Sequence, residues 1–290
     1  MRNIVRPKHH LIRKIVGATT GPQLTYHGGP LIANVQVTTI FWGSAWTTDP
    51  LRAQLDAFFD FVVTSSLIDQ LAEYNVPGFT IGHGSHPASL VVPSDPPAAL
   101  DDSQIQSFVA SQISSGAVPA QNANSLYFVF VPSGATVTLQ GQSSCKAFCG
   151  YHDTPDGKLF YAVVPYANCQ GCQFTPSVFD SMTVIASHEL CEAITDPVPG
   201  QGWYDDAHGE IGDICESSTK TISNGAAAKA GTASFTVSVN PQTIVVDGSA
   251  PVNLTVTLTP ASAVTPPPPP PGTVSYVVQT EWSNAHNACV

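Results

Sequence analysis

Residues 178–194 read Val-Phe-Asp-Ser-Met-Thr-Val-Ile-Ala-Ser-His-Glu-Leu-Cys-Glu-Ala-Ile. Val178, Phe179, Met182, Val184, Ile185, Leu190 and Ile194 put apolar side chains on nearly every side of a helix, so the segment is expected to be buried. Inside it stands His188-Glu189-Leu190-Cys191-Glu192. The chain has nine His and only six Glu, so composition alone produces a His-Glu-x-x-Glu roughly 0.004 times. A buried charge without a partner is very costly. His188 and Glu192, four residues apart, share one helix face, and a divalent cation between them would remove that cost. Glu189 lies about 100° round the helix, where it would meet a water activated by the ion.

The surroundings are acidic. Eight of the 21 acidic residues fall in 189–216: Glu189, Glu192, Asp196, Asp205, Asp206, Glu210, Asp213 and Glu216. The spacing follows the logic of HExxH zinc sites, with two ligands one turn apart and the intervening Glu as general base. Here the second ligand is a carboxylate, and a second anionic ligand lowers the ion's Lewis acidity. Two other readings stay open. His188 and Glu192 could be a hydrogen-bonded pair without a metal, or Asp205, Asp206, Glu210 and Asp213 could hold calcium, which prefers clustered oxygens. His83, His86 and His152 read as loop residues rather than ligands. Tyr204 and His208 follow the helix closely enough to steady an oxyanion.

The stretch from His188 to Asp196 resembles the active-site helix of thermolysin-like peptidases, HELTHAVTD. In that family an acidic ligand follows in a second helix beginning Gly-Ala-Ile-Asn-Glu. Gly209-Glu210-Ile211-Gly212-Asp213 stands in the matching place. The resemblance implies Asp213 as third ligand, with Glu210 as the substitute and Glu216 positioned to orient His188.

The chain has 290 residues and a formal net charge of −11. Binders of nucleic acid and of anionic membrane surfaces present Lys/Arg patches, so neither partner is expected. With 43% apolar and only 11% charged residues, most of the chain should fold. No run of about 18 apolar residues marks a membrane span. Five of the ten basic residues lie in the first 14 positions, and 1–22 reads as a basic N-terminal arm. No apolar run of about 7–15 residues follows those charges, so the arm does not read as a secretory signal.

Asn34–Trp42 reads as a buried strand. Thr48-Asp49-Pro50 caps a helix over 50–64, a second helical piece covers Leu67–Tyr74, and a short strand covers Ser89–Val92. Asp101 and Asp102 open a helix carrying Ile105, Phe108, Val109 and Ile113. Leu126–Val131 and Leu159–Val164 are continuous apolar runs of the kind found in central strands. Thr175-Pro176 caps the helix that ends near Ile194. The alternation predicts an α/β (α+β) domain over 23–218 and 273–290. Residues 219–272 read as a β-rich insertion, with strand-like segments at Ser234–Val239, Thr243–Val246 and Val252–Leu258. The polyproline run Pro266–Pro271 serves as a stiff tether.

There are seven cysteines. Cys145, Cys149, Cys169 and Cys172 have spacings compatible with a four-thiolate zinc site. Disulfides in a secreted protein are the competing reading, favoured by the low charge and abundant Ser, Thr, Gly and Pro. Cys191, inside an apolar helix, is the expected free thiol.

Several segments together resemble the EXORDIUM / phosphate-induced protein 1 family. They are Leu24-Thr-Tyr-His-Gly-Gly-Pro30, Phe41-Trp42, Cys149-Gly-Tyr-His152, Cys169 with Cys172, and Val184-Ile-Ala-Ser-His-Glu-Leu-Cys-Glu192. Trp203-Tyr204, Glu210-Ile-Gly-Asp-Ile-Cys-Glu216, Gln279-x-Glu-Trp282 and Asn287-Ala-Cys289 complete the set, in family order. The resemblance implies a secreted or cell-wall protein and a Cys215–Cys289 disulfide. The family carries HELAE at the helix, so a carboxylate at position 192 belongs to its pattern.

These readings combine into one expectation. The fold is a zincin-like mixed twisted sheet with a buried active-site helix at 176–194. Zn2+ sits on His188, Glu192 and Asp213 or Glu210, with Ca2+ on Asp205, Asp206, Glu210 and Asp213 as the alternative. Glu189, Tyr204 and His208 are the catalytic candidates. The expected protein is an extracellular monomer acting on a peptide, or binding a cell-wall polymer without catalysis.

Overall fold

The computed structural model describes residues 21–216, 218–224 and 273–290. Its frame is a five-stranded sheet. In chain order the strands are β1 (Gln36–Trp42), β2 (Ser85–Val92), β3 (Ser125–Val131), β4 (Tyr151–Asp153) and β5 (Phe160–Pro165). Their spatial order is β2-β1-β3-β5-β4. The first four in that order are parallel, and β4 closes one edge antiparallel to β5, with His152 opposite Ala162. The fold is thus mixed α+β.

The sheet is buried on both faces, which is why its central strands read as unbroken apolar runs. Leu126, Phe128 and Phe130 of β3 enter one core, together with Phe160, Ala162 and Val164 of β5. That core is shared with helices α1 (Pro50–Val62), α2 (Ser66–Gln70) and α4 (Val178–Thr195). Tyr127, Val129 and Val131 enter the other core, with Tyr151, Tyr161 and Val163. Helix α3 (Asp102–Ser114) covers that side through Ile105 and Val109. Period-two alternation thus sends His152, the neighbour of Tyr151, toward α4.

Helix starts follow local chemistry. Asp49 accepts a hydrogen bond from Leu51 N at 2.9 Å with Pro50 in the first turn, and Asp101 with Gln104 forms a reciprocal capping box. Helix α4 starts slightly later than its sequence predicts. Ser177, not Thr175, accepts from Asp180 N at 3.1 Å, while the Thr175 hydroxyl donates to the Ser177 carbonyl. Every residue of α4 from Ser181 to Thr195 is buried. Strand β2 starts at Ser85, earlier than its apolar run, because backbone pairing with β1 extends beyond the apolar side chains.

Three disulfides tie the fold: Cys145–Cys169, Cys149–Cys172 and Cys215–Cys289. They resolve the four-cysteine ambiguity against a thiolate zinc site and indicate an oxidising compartment. Cys191 is the free, buried cysteine, and burial raises its thiol well above the usual range. No helix among the described residues is long and apolar enough to cross a membrane. The compact unit runs through Ile222 and resumes at Ser275. Strands β6 (Thr219–Ser223) and β7 (Ser275–Gln279) pair in a two-stranded sheet. In the second unit, Ser223–Val274, Asn224 N donates to the Val274 carbonyl at 3.1 Å. The three strand-like segments of the insertion, its polyproline run and most of the basic arm lie outside the described residues.

Candidate metal centre

Helix α4 is held between β5 and β4 on one side and β7 on the other, and its acidic turn faces both. His188 Nε2 and Glu192 Oε2 lie 3.1 Å apart, both side chains fully buried. Neither atom has an aligned hydrogen-bond partner. Two ligands at about 2.1 Å from one ion lie about 2.9–3.4 Å apart in tetrahedral or octahedral geometry, so the spacing fits a shared cation.

The loop after α4 completes this side. Asp213 brings a carboxylate oxygen into one group with His188 and Glu192, the donor atoms all lying within 4.8 Å of one another. The Asp213 backbone N–H donates to Glu192 Oε1 at 3.1 Å, which leaves Oε2 for the ion. Gly212 makes the close approach possible, because a Cβ there would collide with His188 Nδ1 and Glu192 Oε1. The preferred third ligand of the sequence reading is thus the one gathered with His188 and Glu192. The substitute, Glu210, is turned instead toward His152, with Oε1 at 3.4 Å from Nε2.

His152 is a correction to the sequence reading. It is not a loop residue but a β4 strand residue, 1% exposed. Its Nδ1 lies 3.5 Å from Glu189 Oε2 and 3.7 Å from Glu192 Oε2, and the three residues form a second group of potential ligands. Gly150 lets the edge strand approach, since a Cβ there would stand 2.8 Å from Glu189 Oε1. Sequence reasoning held one signal for His152, its place in Cys149-Gly-Tyr-His152.

Gln279 of β7 was also missed. Its amide nitrogen lies 2.8 Å from His188 Nδ1 and 2.7 Å from the Gly212 carbonyl. The orienting position assigned to Glu216 by resemblance is therefore occupied by Gln279. With the amide N–H2 group serving both acceptors, the imidazole proton sits on Nε2, facing Glu192. Coordination through Nε2 requires the opposite tautomer, and the Gln279 amide must then turn to offer its oxygen to Nδ1–H, giving up the hydrogen bond it donates to the Gly212 carbonyl. As placed, that oxygen is buried without a hydrogen-bond partner.

Electrostatics point the same way. Burial, then Glu210 and Glu189, push the Glu192 carboxyl far above the carboxylate range. Burial and Glu192 do the same to Asp213. Asp196 accepts from the backbone of Gly200, Gln201 and Gly202. Burial and Glu210 still lift it to about 8. Burial works against a charged His152, but Glu210, Glu189 and Glu192 outweigh it and raise the imidazole well above its usual value. Such shifts arise where buried negative charge lacks a counter-ion. The donor set therefore fits a divalent cation.

Tyr204 stands half-buried beside the cluster. Burial, Glu210 and Asp213 raise its phenol, which stays a hydrogen-bond donor at neutral pH. His208 is not gathered with the ligands. Its Nδ1 is 2.8 Å from Asp205 Oδ1 and its side chain is 41% exposed. Asp205 is occupied by that ring and by the backbone N–H groups of Gln23, Ala207 and His208. No ligand group among the described residues includes Asp205 or Asp206, so the four-carboxylate calcium cluster does not assemble. His83 and His86 pair with Asp69 and Asp60 instead. No protein-family model matches the chain, and neither does any curated protein.

Proposed function

We propose that this chain is an extracellular metal-dependent hydrolase of the peptidase type. The ion is held by His188, Glu192 and Asp213, and Glu189 accepts the proton of the attacking water. One observation carries the proposal: the buried atoms His188 Nε2 and Glu192 Oε2 lie 3.1 Å apart with no hydrogen-bond partner, and Asp213 is gathered with them. Left empty, such a site costs several kcal/mol of desolvation, and a divalent cation satisfies both of these donors together.

When bound, the ion supplies Lewis acidity, which polarises a carbonyl and acidifies water. The remaining chemistry belongs to the chain. Glu189 is fully buried with both oxygens unpartnered, so a carboxylate is poised to take a proton in a water-poor site. His152 Nδ1 faces the Oε2 side of that carboxylate at 3.5 Å. Tyr204 keeps its phenolic proton and can donate to a developing oxyanion. His208, its Nδ1 committed to Asp205, is the weaker donor for that task. The three disulfides and the EXORDIUM resemblance support an extracellular setting, with a peptide or wall polymer as substrate.

The second reading is a non-catalytic extracellular protein that uses the ion structurally. Complete burial of His188, Glu189 and Glu192 favours it, because structural sites are closed whereas catalytic ones keep an open position. One comparison separates the two. Metal content is measured on dialysed wild type and His188→Ala, and a peptide library is then offered to wild type and Glu189→Gln. The hydrolase cleaves, and Glu189→Gln stops cleavage while the ion on His188 stays bound. Bound metal with no cleavage by any preparation leaves only the structural reading.

A further inference from the structure

The two ligand groups share Glu192 and nothing else. One contains His188 and Asp213, the other His152 and Glu189. Among the described residues no ligand group unites the two imidazoles. Two ligands of one ion at about 2.1 Å stand at most about 4.2 Å apart, even when opposite each other, so a single ion does not serve both rings.

The His152 side has its own unsatisfied donors. His152 Nδ1, both Glu189 oxygens and Glu210 Oε1 lack hydrogen-bond partners. All three side chains are at most 3% exposed. Nδ1 faces the Glu189 and Glu192 oxygens at 3.5 and 3.7 Å, somewhat wider than the 3.1 Å of the His188 pair.

Charge points to more than one cation. Glu189, Glu192, Asp196, Glu210, Asp213 and Glu281 are all buried or nearly so, around two imidazoles. A single divalent ion on His188, Glu192 and Asp213 leaves His152 Nδ1, both Glu189 oxygens and Glu210 Oε1 without a partner.

We propose that the site is dinuclear: a second divalent cation binds between His152, Glu189 and Glu192, and Glu192 bridges it to the ion on His188 and Asp213. One imidazole with carboxylates suits a transition cation of the Zn2+ or Mn2+ class rather than Mg2+. Glu189 ligates through Oε2, on the His152 side, and its Oε1, beside Gly150, remains the proton acceptor. Two cations bridged by one carboxylate form a two-metal clamp of the kind that hydrolases use on both the attacking and the leaving oxygen. The inference rests on the proposed metal centre but makes a separate claim about stoichiometry.

The test needs no substrate. Full-length chelated protein is reloaded with ZnCl2, and in parallel with MnCl2, then desalted. Bound metal per chain is measured for wild type, His152→Gln, Glu189→Gln, His188→Gln and Glu192→Gln. Each variant is first checked for native circular dichroism, and the isosteric Glu189→Gln keeps the test open if His152→Gln fails to fold. The expected result is two equivalents in wild type, one in the His152, Glu189 and His188 variants, and none in Glu192→Gln. Two Mn2+ ions sharing a carboxylate should also give an exchange-coupled paramagnetic resonance spectrum that collapses to an isolated-ion spectrum in Glu189→Gln. A wild type that holds only one equivalent, retained in both His152→Gln and Glu189→Gln, overturns the dinuclear site while leaving the His188 centre standing. A single equivalent lost equally from the His152 and His188 variants overturns it too, since one ion would then span both rings. No metal in wild type removes both proposals.

Discussion

Glu192→Gln separates a metal centre from a buried hydrogen-bonded pair, because the two predict opposite results in chelator. In the metal reading, ion-free Glu192 is a liability. Burial, Glu210 and Glu189 already favour its neutral form, so an isosteric neutral amide should change stability by less than about 1 kcal/mol. Metal should then act on wild type alone. A free ion at a hundred times its dissociation constant adds about 2.7 kcal/mol. In a domain of this size each kcal/mol moves Tm by about 2–4 °C, so zinc should raise wild-type Tm by about 5–11 °C and the variant's by almost nothing. In the metal-free reading, the variant breaks a buried hydrogen-bonded pair whose atoms lie 3.1 Å apart, at a cost of about 1–3 kcal/mol whether or not metal is present. Differential scanning calorimetry in EDTA and in buffered zinc reads both quantities. A variant that melts far below wild type in EDTA, beside a wild type indifferent to zinc, would refute the metal centre.

Other consequences follow from the same geometry. Gly212→Ala keeps a backbone that alanine adopts easily, at φ −78°, but drives a methyl into His188 and Glu192. It should weaken zinc binding about 10–100-fold, as displaced ligand-orienting contacts do, and titration calorimetry should show this with the far-ultraviolet dichroism unchanged. Reduction should loosen the site as well as the fold. Cys145–Cys169 and Cys149–Cys172 pin the segment leading into His152, and Cys215–Cys289 closes a 74-residue separation. Loop entropies of about 3–4.5 kcal/mol each predict that dithiothreitol lowers both Tm and retained metal; metal retention in fully reduced protein would contradict this. Stability in EDTA should fall as pH rises. The Asp196 carboxyl is lifted from near 4 to about 8, so between those values the folded state holds a proton the unfolded chain has released. The stabilisation is complete below about pH 4 and is lost as pH climbs through 8. Urea unfolding at pH 5 and pH 8.5 checks the sign, and saturating metal should flatten the slope.

Much of the centre was legible because it is local. His188 and Glu192 meet through the helical repeat, and apolar neighbours on every side already said that the helix is buried. Asp213 follows after one short loop. The apolar strands were legible for a similar reason: Leu126–Val131 and Leu159–Val164 are buried on both faces, so nearly every position had to be apolar. Cys191 was recognisable as the odd thiol from its place in the helix.

Other partners are set by strand pairing across long separations. His152 lies 36 residues before His188 and reaches it only because β4 pairs antiparallel at the sheet edge, with His152 opposite Ala162. Glycine at 150 then lets that edge close on the helix. Gln279 arrives from beyond the insertion on β7, and no local rule connects it to a helix 91 residues earlier. The pairing among Cys145, Cys149, Cys169 and Cys172 was equally open, since several connectivities share those spacings.

The sequence by itself determined the buried helix, its paired His and Glu, and the sheet strands, because helical and strand periodicities are local. Only the tertiary structure decided which imidazole faces Glu189, which amide holds His188, and whether Glu210 or Asp213 joins Glu192. Those choices depend on where an edge strand and a returning C-terminal strand dock, and docking is fixed by packing over the whole core rather than by any one segment.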